Sequence, residues 1–247
     1  LPTFDGGKEK ESGYSRGEQS AEIVTYDAEA MSVAVSADNS ANESGRFDRG
    51  KVYATHADVY TVTVTLNNQG VINYVWNDDG TDTAEKTLSW TISPEVISAP
   101  SFAGAAEDGK LTTEFKDTLS DATGSWVATP EQQTAAVSGY DDGAMSFVVS
   151  GEGSYSGGSV FATNADVYTV TVTLKNSADI QNFVWAEGVG SDGPVTLTWE
   201  ITPKAVGIDV AQTNTERRVT YQSDVPSQTI TAIEEYVTNG QGSAYFV

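Results

Sequence analysis

The sequence predicts an all-β chain built as similar antiparallel sandwiches in tandem, and three observations carry that prediction. A long internal repeat divides the chain. Within each repeat, apolar and polar residues alternate at every second position, the period of a half-buried strand. No stretch of about ten residues or more carries convincing helical periodicity.

The repeat is read directly. Residues 54–66 are ATHADVYTVTVTL and residues 162–174 are ATNADVYTVTVTL, differing only at His56 against Asn164. Downstream, Asn73-Tyr74-Val75-Trp76 matches Asn182-Phe183-Val184-Trp185, and Leu88-Ser89-Trp90-Thr91-Ile92 matches Leu197-Thr198-Trp199-Glu200-Ile201. Upstream, Tyr26-Asp27 and Ala30-Met31-Ser32 match Tyr140-Asp141 and Ala144-Met145-Ser146. Pro2-Thr3-Phe4 resembles Pro100-Ser101-Phe102. The period is about 100 residues, the size of a whole domain. We therefore expect one domain over 1–94 and a second over 95–203. Residues 204–247 are expected to form a partial third module or added strands, with strand-like runs at Arg218–Tyr221, Thr229–Ile233 and Ala244–Val247.

The elements follow in chain order. Met31, Val33 and Val35 alternate with Ser32 and Ala34. Tyr60, Val62, Val64 and Leu66 share a face that opposes Thr61, Thr63 and Thr65. Leu88, Trp90 and Ile92 oppose Thr87, Ser89 and Thr91. Such alternation belongs to antiparallel sheets with one wet face. Residues 107–122 are the exception. Leu111, Phe115 and Leu119 fall at i, i+4 and i+8, which predicts a short helix, inserted in the second repeat without a counterpart in the first. Tyr60 stands two residues before Val62, and Tyr168 two before Val170. This is the spacing of a tyrosine corner in an immunoglobulin-like, Greek-key sandwich.

Composition narrows the function. The 247 residues hold 13 Lys+Arg against 35 Asp+Glu, a formal net charge of −22. Nucleic acid is an unsuitable partner, because phosphate binding needs clustered cations. Anionic membrane surfaces are disfavoured likewise. The absence of cysteine excludes disulfides, thiol catalysis and cysteine metal sites, and a single histidine excludes most histidine-based zinc sites and triads. No apolar run approaches the ~18 residues of a membrane span, so membrane insertion is not expected. The chain begins Leu1-Pro2-Thr3-Phe4, which reads as a mature or excised piece of something longer.

Candidate chemistry is sparse. Trp76, Trp90, Trp185 and Trp199 recur at matching places and are expected in cores, not on sugar-stacking platforms. Trp126 has no partner in the first repeat and is the best candidate for an exposed aromatic. Asn77-Asp78-Asp79-Gly80-Thr81-Asp82 gathers carboxylates within one turn, as a calcium loop would, but lacks the spacing of an EF-hand. Its equivalent, residues 186–193, keeps two carboxylates at a different spacing, and Asp141-Asp142-Gly143 is a weaker acidic turn. Calcium is the one cofactor to consider, and the reading otherwise expects none. Gly153-Ser154-Tyr155-Ser156-Gly157 has Tyr where a nucleophile elbow needs Ser. No acid pair is marked out for glycoside hydrolysis. Strands 87–92 and 196–201 carry no Asn and no Lys aligns between repeats, which argues against isopeptide staples. Asn42-Glu43-Ser44 is a glycosylation sequon. No catalytic, cofactor-binding or metal residue is assigned, and the chain is not expected to be an enzyme.

Positions 60–94 and 168–203, with Tyr-x-Val-x-x-x-Leu, Asn-aromatic-x-Trp and Trp-x-Ile before Pro, resemble the tandem Ig-like repeats of large bacterial surface proteins. The resemblance covers roughly the C-terminal half of each repeat. Residues 7–24 and 105–136 diverge. It implies an extracellular, surface-located protein whose repeats serve as spacers, adhesive modules or assembly units. The partners implied are neighbouring Ig-like domains of the same or another chain. The alternatives are an adhesin that binds a host protein or glycan through divergent loops, with Trp126 or Tyr155 exposed, and the non-catalytic part of a carbohydrate-active enzyme.

Overall fold

The computed structural model describes residues 1–78, 80–120, 127–187 and 193–205. Trp126, Asp79, residues 188–192 and all but the first two residues of the 204–247 segment lie outside them. Among the described residues every element is a strand.

The first repeat contains β1 (Glu9–Gly13), β2 (Gln19–Glu22), β3 (Met31–Ala37), β4 (Arg46–Asp48), β5 (Lys51–Ala54), β6 (Asp58–Leu66) and β7 (Lys86–Ser93). They form two sheets, ordered β1-β7-β6-β3 and β2-β5-β4. The alternation read in the sequence decides which face is buried. Tyr60, Val62 and Val64 of β6 and Leu88, Trp90 and Ile92 of β7 meet Ala21, Ile23, Val52 and Ala54 from the other sheet, with Phe4 and Trp76 closing the core.

The second repeat contains β8 (Glu95–Ile97), β9 (Ser101–Phe102), β10 (Lys110–Glu114), β11 (Asp117–Ser120), β12 (Val127–Pro130), β13 (Gln133–Ser138), β14 (Met145–Val149), β15 (Ser154–Ser156), β16 (Ser159–Ala162), β17 (Val167–Leu174), β18 (Phe183–Trp185) and β19 (Val195–Thr202). Its sheets run β10-β19-β17-β14 and β15-β16-β13-β9. Tyr168, Val170, Val172, Leu197, Trp199 and Ile201 are buried, as are Trp185 and Phe102. The fold is therefore all-β, of the immunoglobulin-like sandwich class. All four recurring tryptophans are core residues.

Two sequence expectations change. No helix forms over 107–120, the described part of that span. β10 and β11 occupy it, and β10 does have a counterpart in the first repeat, namely β1. Among the described residues of 107–130, the β11–β12 pair has no such counterpart. A spacing of four satisfies a two-residue period as well as a helical one, so Leu111, Phe115 and Leu119 do not discriminate. The sheets are also not purely antiparallel. β1 pairs parallel with β7, Glu9 to Ser89 through Gly13 to Ser93, and β10 pairs parallel with β19, Lys110 to Thr198 through Glu114 to Thr202.

The tyrosine corners are present. Tyr60 Oη donates to the His56 carbonyl at 2.8 Å and Tyr168 Oη to the Asn164 carbonyl at 2.9 Å. Asn42 is buried and its Nδ2 donates to Tyr60 Oη at 2.8 Å, so the sequon amide is spent inside the fold. Ser44 Oγ lies 2.9 Å from the same hydroxyl. In the second repeat Gly153 stands over the corner. A Cβ there would sit 2.6 Å from Val149 Cγ1 and 3.1 Å from the Tyr168 ring, which is why the Gly-Ser-Tyr-Ser-Gly run begins with glycine.

Tyr168→Phe removes one hydrogen bond and is expected to cost about 1 kcal/mol in urea unfolding. Tyr60→Phe also strips Asn42 and Ser44 of a partner and is expected to cost roughly 2 kcal/mol. Equal losses would show that the Asn42 network adds nothing.

Candidate functional site

Several repeated polar side chains bond to backbone groups of the protein itself. Asn68 Oδ1 accepts from Tyr74 N at 2.9 Å while its Nδ2 donates to Tyr74 O at 2.8 Å. Asn176 does the same with Phe183, both at 2.9 Å. Each amide copies one rung of a sheet ladder. Trp76 Nε1 donates to Ala84 O at 2.7 Å and Trp185 Nε1 to Gly193 O at 2.9 Å, so each indole clamps the turn ahead of the last strand. Asp27 and Asp141 cap matching turns. Asp27 Oδ1 accepts from Glu29 N at 2.9 Å, and Asp141 Oδ1 from Gly143 N at 2.9 Å.

The acidic turn at 77–82 is tied to Lys86. Its Nζ bonds Asp82 Oδ2 and lies 3.6 Å from Asp78 Oδ2, while Asp82 Oδ1 accepts from Ala84 N at 2.7 Å. The bond to Asp82 raises the Lys86 pKa above its usual value, with the charge of Asp78 adding to it. Among the described residues, no group of three or more His, Asp or Glu is placed to hold a metal ion. Tyr155 is half-buried and its hydroxyl accepts from Gly158 N at 3.2 Å.

One cluster was not foreseen. The chain divides into two compact units. The first takes Leu1–Ser101, Ser138–Val148 and Thr171–Thr196, and the second takes Phe102–Val137, Val149–Val170 and the chain from Leu197. Inside the first unit, Arg16 gathers two carboxylates. Its Nε and Nη2 donate to Glu95 Oε2 and Oε1, both at 2.7 Å, a bidentate fork. Its Nη2 also donates to Asp141 Oδ2 at 2.6 Å and its Nη1 to Asp141 Oδ1 at 3.2 Å. The guanidinium carbon lies 5.5 Å from the Phe183 ring centroid, and Tyr14 meets that ring edge-on at 5.5 Å. Arg16 adopts φ 61°, a left-handed conformation costing a non-glycine residue about 1–2 kcal/mol. The four hydrogen bonds offset that strain. Gly143 leaves room for the fork, since a Cβ would stand 2.9 Å from Arg16 Nη1. The first repeat has Glu29 at the matching place.

A second set of bonds in the same unit explains the one mismatch in the thirteen-residue repeat. Asn182 Oδ1 accepts from Ala57 N at 2.9 Å, which turns its Nδ2 toward His56 Nδ1 at 3.1 Å. His56 is then an acceptor at Nδ1. Its counterpart Asn164 instead donates to Glu152 Oε2 at 2.9 Å. Asn182 O also accepts from Glu95 N at 2.9 Å, beside the parallel pairing of β8 with β18, Glu95 to Phe183 through Ile97 to Trp185.

The electrostatics follow from the geometry. Hydrogen bonds to Glu95 and then Asp141 raise the Arg16 pKa, so it is always charged. Arg16 in turn holds the Asp141 carboxyl below its ordinary range, helped by Gly143 N and opposed by partial burial.

Among solved structures, the chain is similar to Drosophila N-cadherin EC1-4, with 13% identity over 83% of this chain and 50% of that one, at a TM-score of 0.28. It is similar to the titin domains z1z2 in complex with telethonin, with 16% identity over 83% and 98%, at a TM-score of 0.28. It is also similar to human protocadherin-24 EC1-2, with 10% identity over 83% and 98%, at a TM-score of 0.27. The chain spans half the length of the N-cadherin fragment. No family model matches the chain, and no curated protein matches it. Among the described residues, no helix is long and apolar enough to cross a membrane.

Arg16→Ala is expected to lower stability at pH 7 by about 1 kcal/mol, the scale of an ion pair that is a third exposed. Asp141 has a folded pKa below its unfolded value of about 4, so its share is complete above that value. It drains away as pH falls through the folded value. The gap between wild type and variant in urea unfolding should narrow from pH 5 to pH 2, whereas a gap constant with pH would assign the loss to packing on Phe183.

Proposed function

We propose that the chain is a structural part of an extracellular bacterial surface protein, in which Ig-like modules in series act as a spacer or assembly unit without catalysis. The observation that carries this reading is the use made of the polar residues the repeats share. Tyr60 and Tyr168, Asn68 and Asn176, Trp76 and Trp185, and Asp27 and Asp141 all bond to the protein's own backbone. These shared side chains are used to hold the fold. The net charge of −22 keeps such a chain soluble and self-repelling.

The adhesin reading has one observation in its favour. Val71 and Ile72, between β6 and β7, are 66% and 70% exposed. Adjacent exposed aliphatic residues at a loop tip suit contact with another protein.

Light scattering across a concentration series separates the versions. The spacer reading expects the single-chain mass, 26.2 kDa, at every concentration. Chains that lengthen with concentration would overturn the spacer in favour of an assembly unit. Saturable binding in a glycan or host-protein array that is lost in Val71→Ser/Ile72→Ser would establish the adhesin.

A further inference from the structure

The first repeat leaves open a strand edge that the second repeat keeps covered. In the second repeat, β18 is held on one edge by the Asn176 amide and pairs in parallel with β8 on the other. Glu95 N donates to Asn182 O at 2.9 Å, and Ala186 N donates to Ile97 O at 2.8 Å. The matching run Tyr74-Val75-Trp76 has the same hold from Asn68 on one edge. It pairs with no strand on the other edge, and among the described residues Asn73 O and Asn77 N make no hydrogen bond. Such an edge is a template for an added strand.

Three residues identical in the two repeats show what the cover does. Asp141, Asn182 and Val184 are half-buried, whereas Asp27, Asn73 and Val75 are exposed. Phe183 is buried, and its counterpart Tyr74 is half-buried. The contacts of the second set identify the cover. Arg16 takes Asp141 and packs on Phe183, Ala57 N donates to Asn182, and β8 lies along Val184. All three belong to one module end: the residues beyond its first strand, the turn before β6, and the strand after Pro94. In the first repeat, Asp27 has no ion pair and the Asn73 side-chain amide no hydrogen bond among the described residues. Val71 and Ile72 stand exposed directly before Asn73.

We propose that this face of the first repeat seats the closing end of another Ig-like module, which ends in a proline followed by a short apolar strand that adds in parallel along Tyr74–Trp76. Charge at the seat selects lysine directly after that proline. Gly143 leaves room for the Arg16 fork, since a Cβ would stand 2.9 Å from Nη1. Its counterpart is Glu29, whose side chain crowds a guanidinium in that pose and adds a carboxylate to that of Asp27. Glu95 and Asp141 accept from the same guanidinium, so a side chain in the place of Glu95 reaches the place of Asp141. A lysine there meets Asp27 and Glu29, and a glutamate is repelled by both. The inference rests on the reading of modules in series, but its test reads strand addition within one chain and not the mass of an assembly.

Tethering such a strand to the chain tests it. Leu1-Pro2-Thr3-Phe4 matches Ala99-Pro100-Ser101-Phe102, so an extension ahead of Leu1 stands where Pro94–Ser98 stand ahead of Ala99. The 247-residue chain is extended with Pro-Lys-Val-Ile-Ser, Pro-Glu-Val-Ile-Ser or Gly-Ser-Gly-Ser-Gly and followed by amide hydrogen exchange. The lysine extension is expected to slow exchange at Val75 and Asn77 several-fold. The glutamate extension should slow it less, the Gly-Ser extension should change nothing, and D27N/E29Q should make the first two alike. Unchanged exchange with the lysine extension would overturn the proposal, as would equal slowing by all three. Lysine and glutamate extensions that act alike in the wild type, or a difference that survives D27N/E29Q, would overturn the selection of lysine. Slowing that grows with protein concentration would assign the face to a second copy of this chain and overturn the occupant proposed.

Discussion

The parallel pairing of the first long strand of each repeat with the last is the constraint on which the rest depends. It lays β1 along β7 and β10 along β19 in the same register, close to Pro94 and Pro203. The buried tryptophans of the last strands hold that register by donating to Ser12 and Thr113. The residues just beyond the first strand are thereby delivered to the residue after the proline. This is why Arg16 meets Glu95 and Asp117 meets Lys204. The ends of the repeats are chemical sites because the pairing makes them so.

Much of the core was legible in the sequence. Tyr60, Val62 and Val64 alternate with threonine, and the two-residue spacing from Tyr to Val marked both tyrosine corners. The first strands were not legible. β1 reads Glu-Lys-Glu-Ser-Gly and β10 reads Lys-Leu-Thr-Thr-Glu, with no residue in common at any aligned position, so neither announced the other. Their equivalence is carried by backbone and tryptophan bonds. The four-residue spacing of Leu111, Phe115 and Leu119 fits helix and strand alike, and it drew the reading to a helix.

The Arg16 cluster was missed for a related reason. Its partners stand 79 and 125 residues away, and charged residues in an acidic chain are too many to pair by eye. Two signals were nonetheless present. Gly143 replaces the glutamate of the first repeat, and the charge after the proline changes sign from Glu95 to Lys204. Both are visible in the repeat itself, but their link to Arg16 emerges only once β1 is set against β10. In the acidic turn read as a calcium candidate, Lys86, four residues downstream of Asp82, bonds Asp82 and lies 3.6 Å from Asp78.

Exchanging the polarity of the first site tests the account most directly, read as the midpoint of urea unfolding. R16D/E95K gives the first site the Asp–Lys pair of the second, but it sets Asp141 against a new carboxylate. That double variant should unfold at lower urea than wild type. Adding D141N, which keeps the turn cap and turns the facing group into a donor, should recover most of the loss. A double variant as stable as wild type, or a triple variant no better than the double, would contradict the claim that the end of the first repeat is keyed to the charge of Asp141.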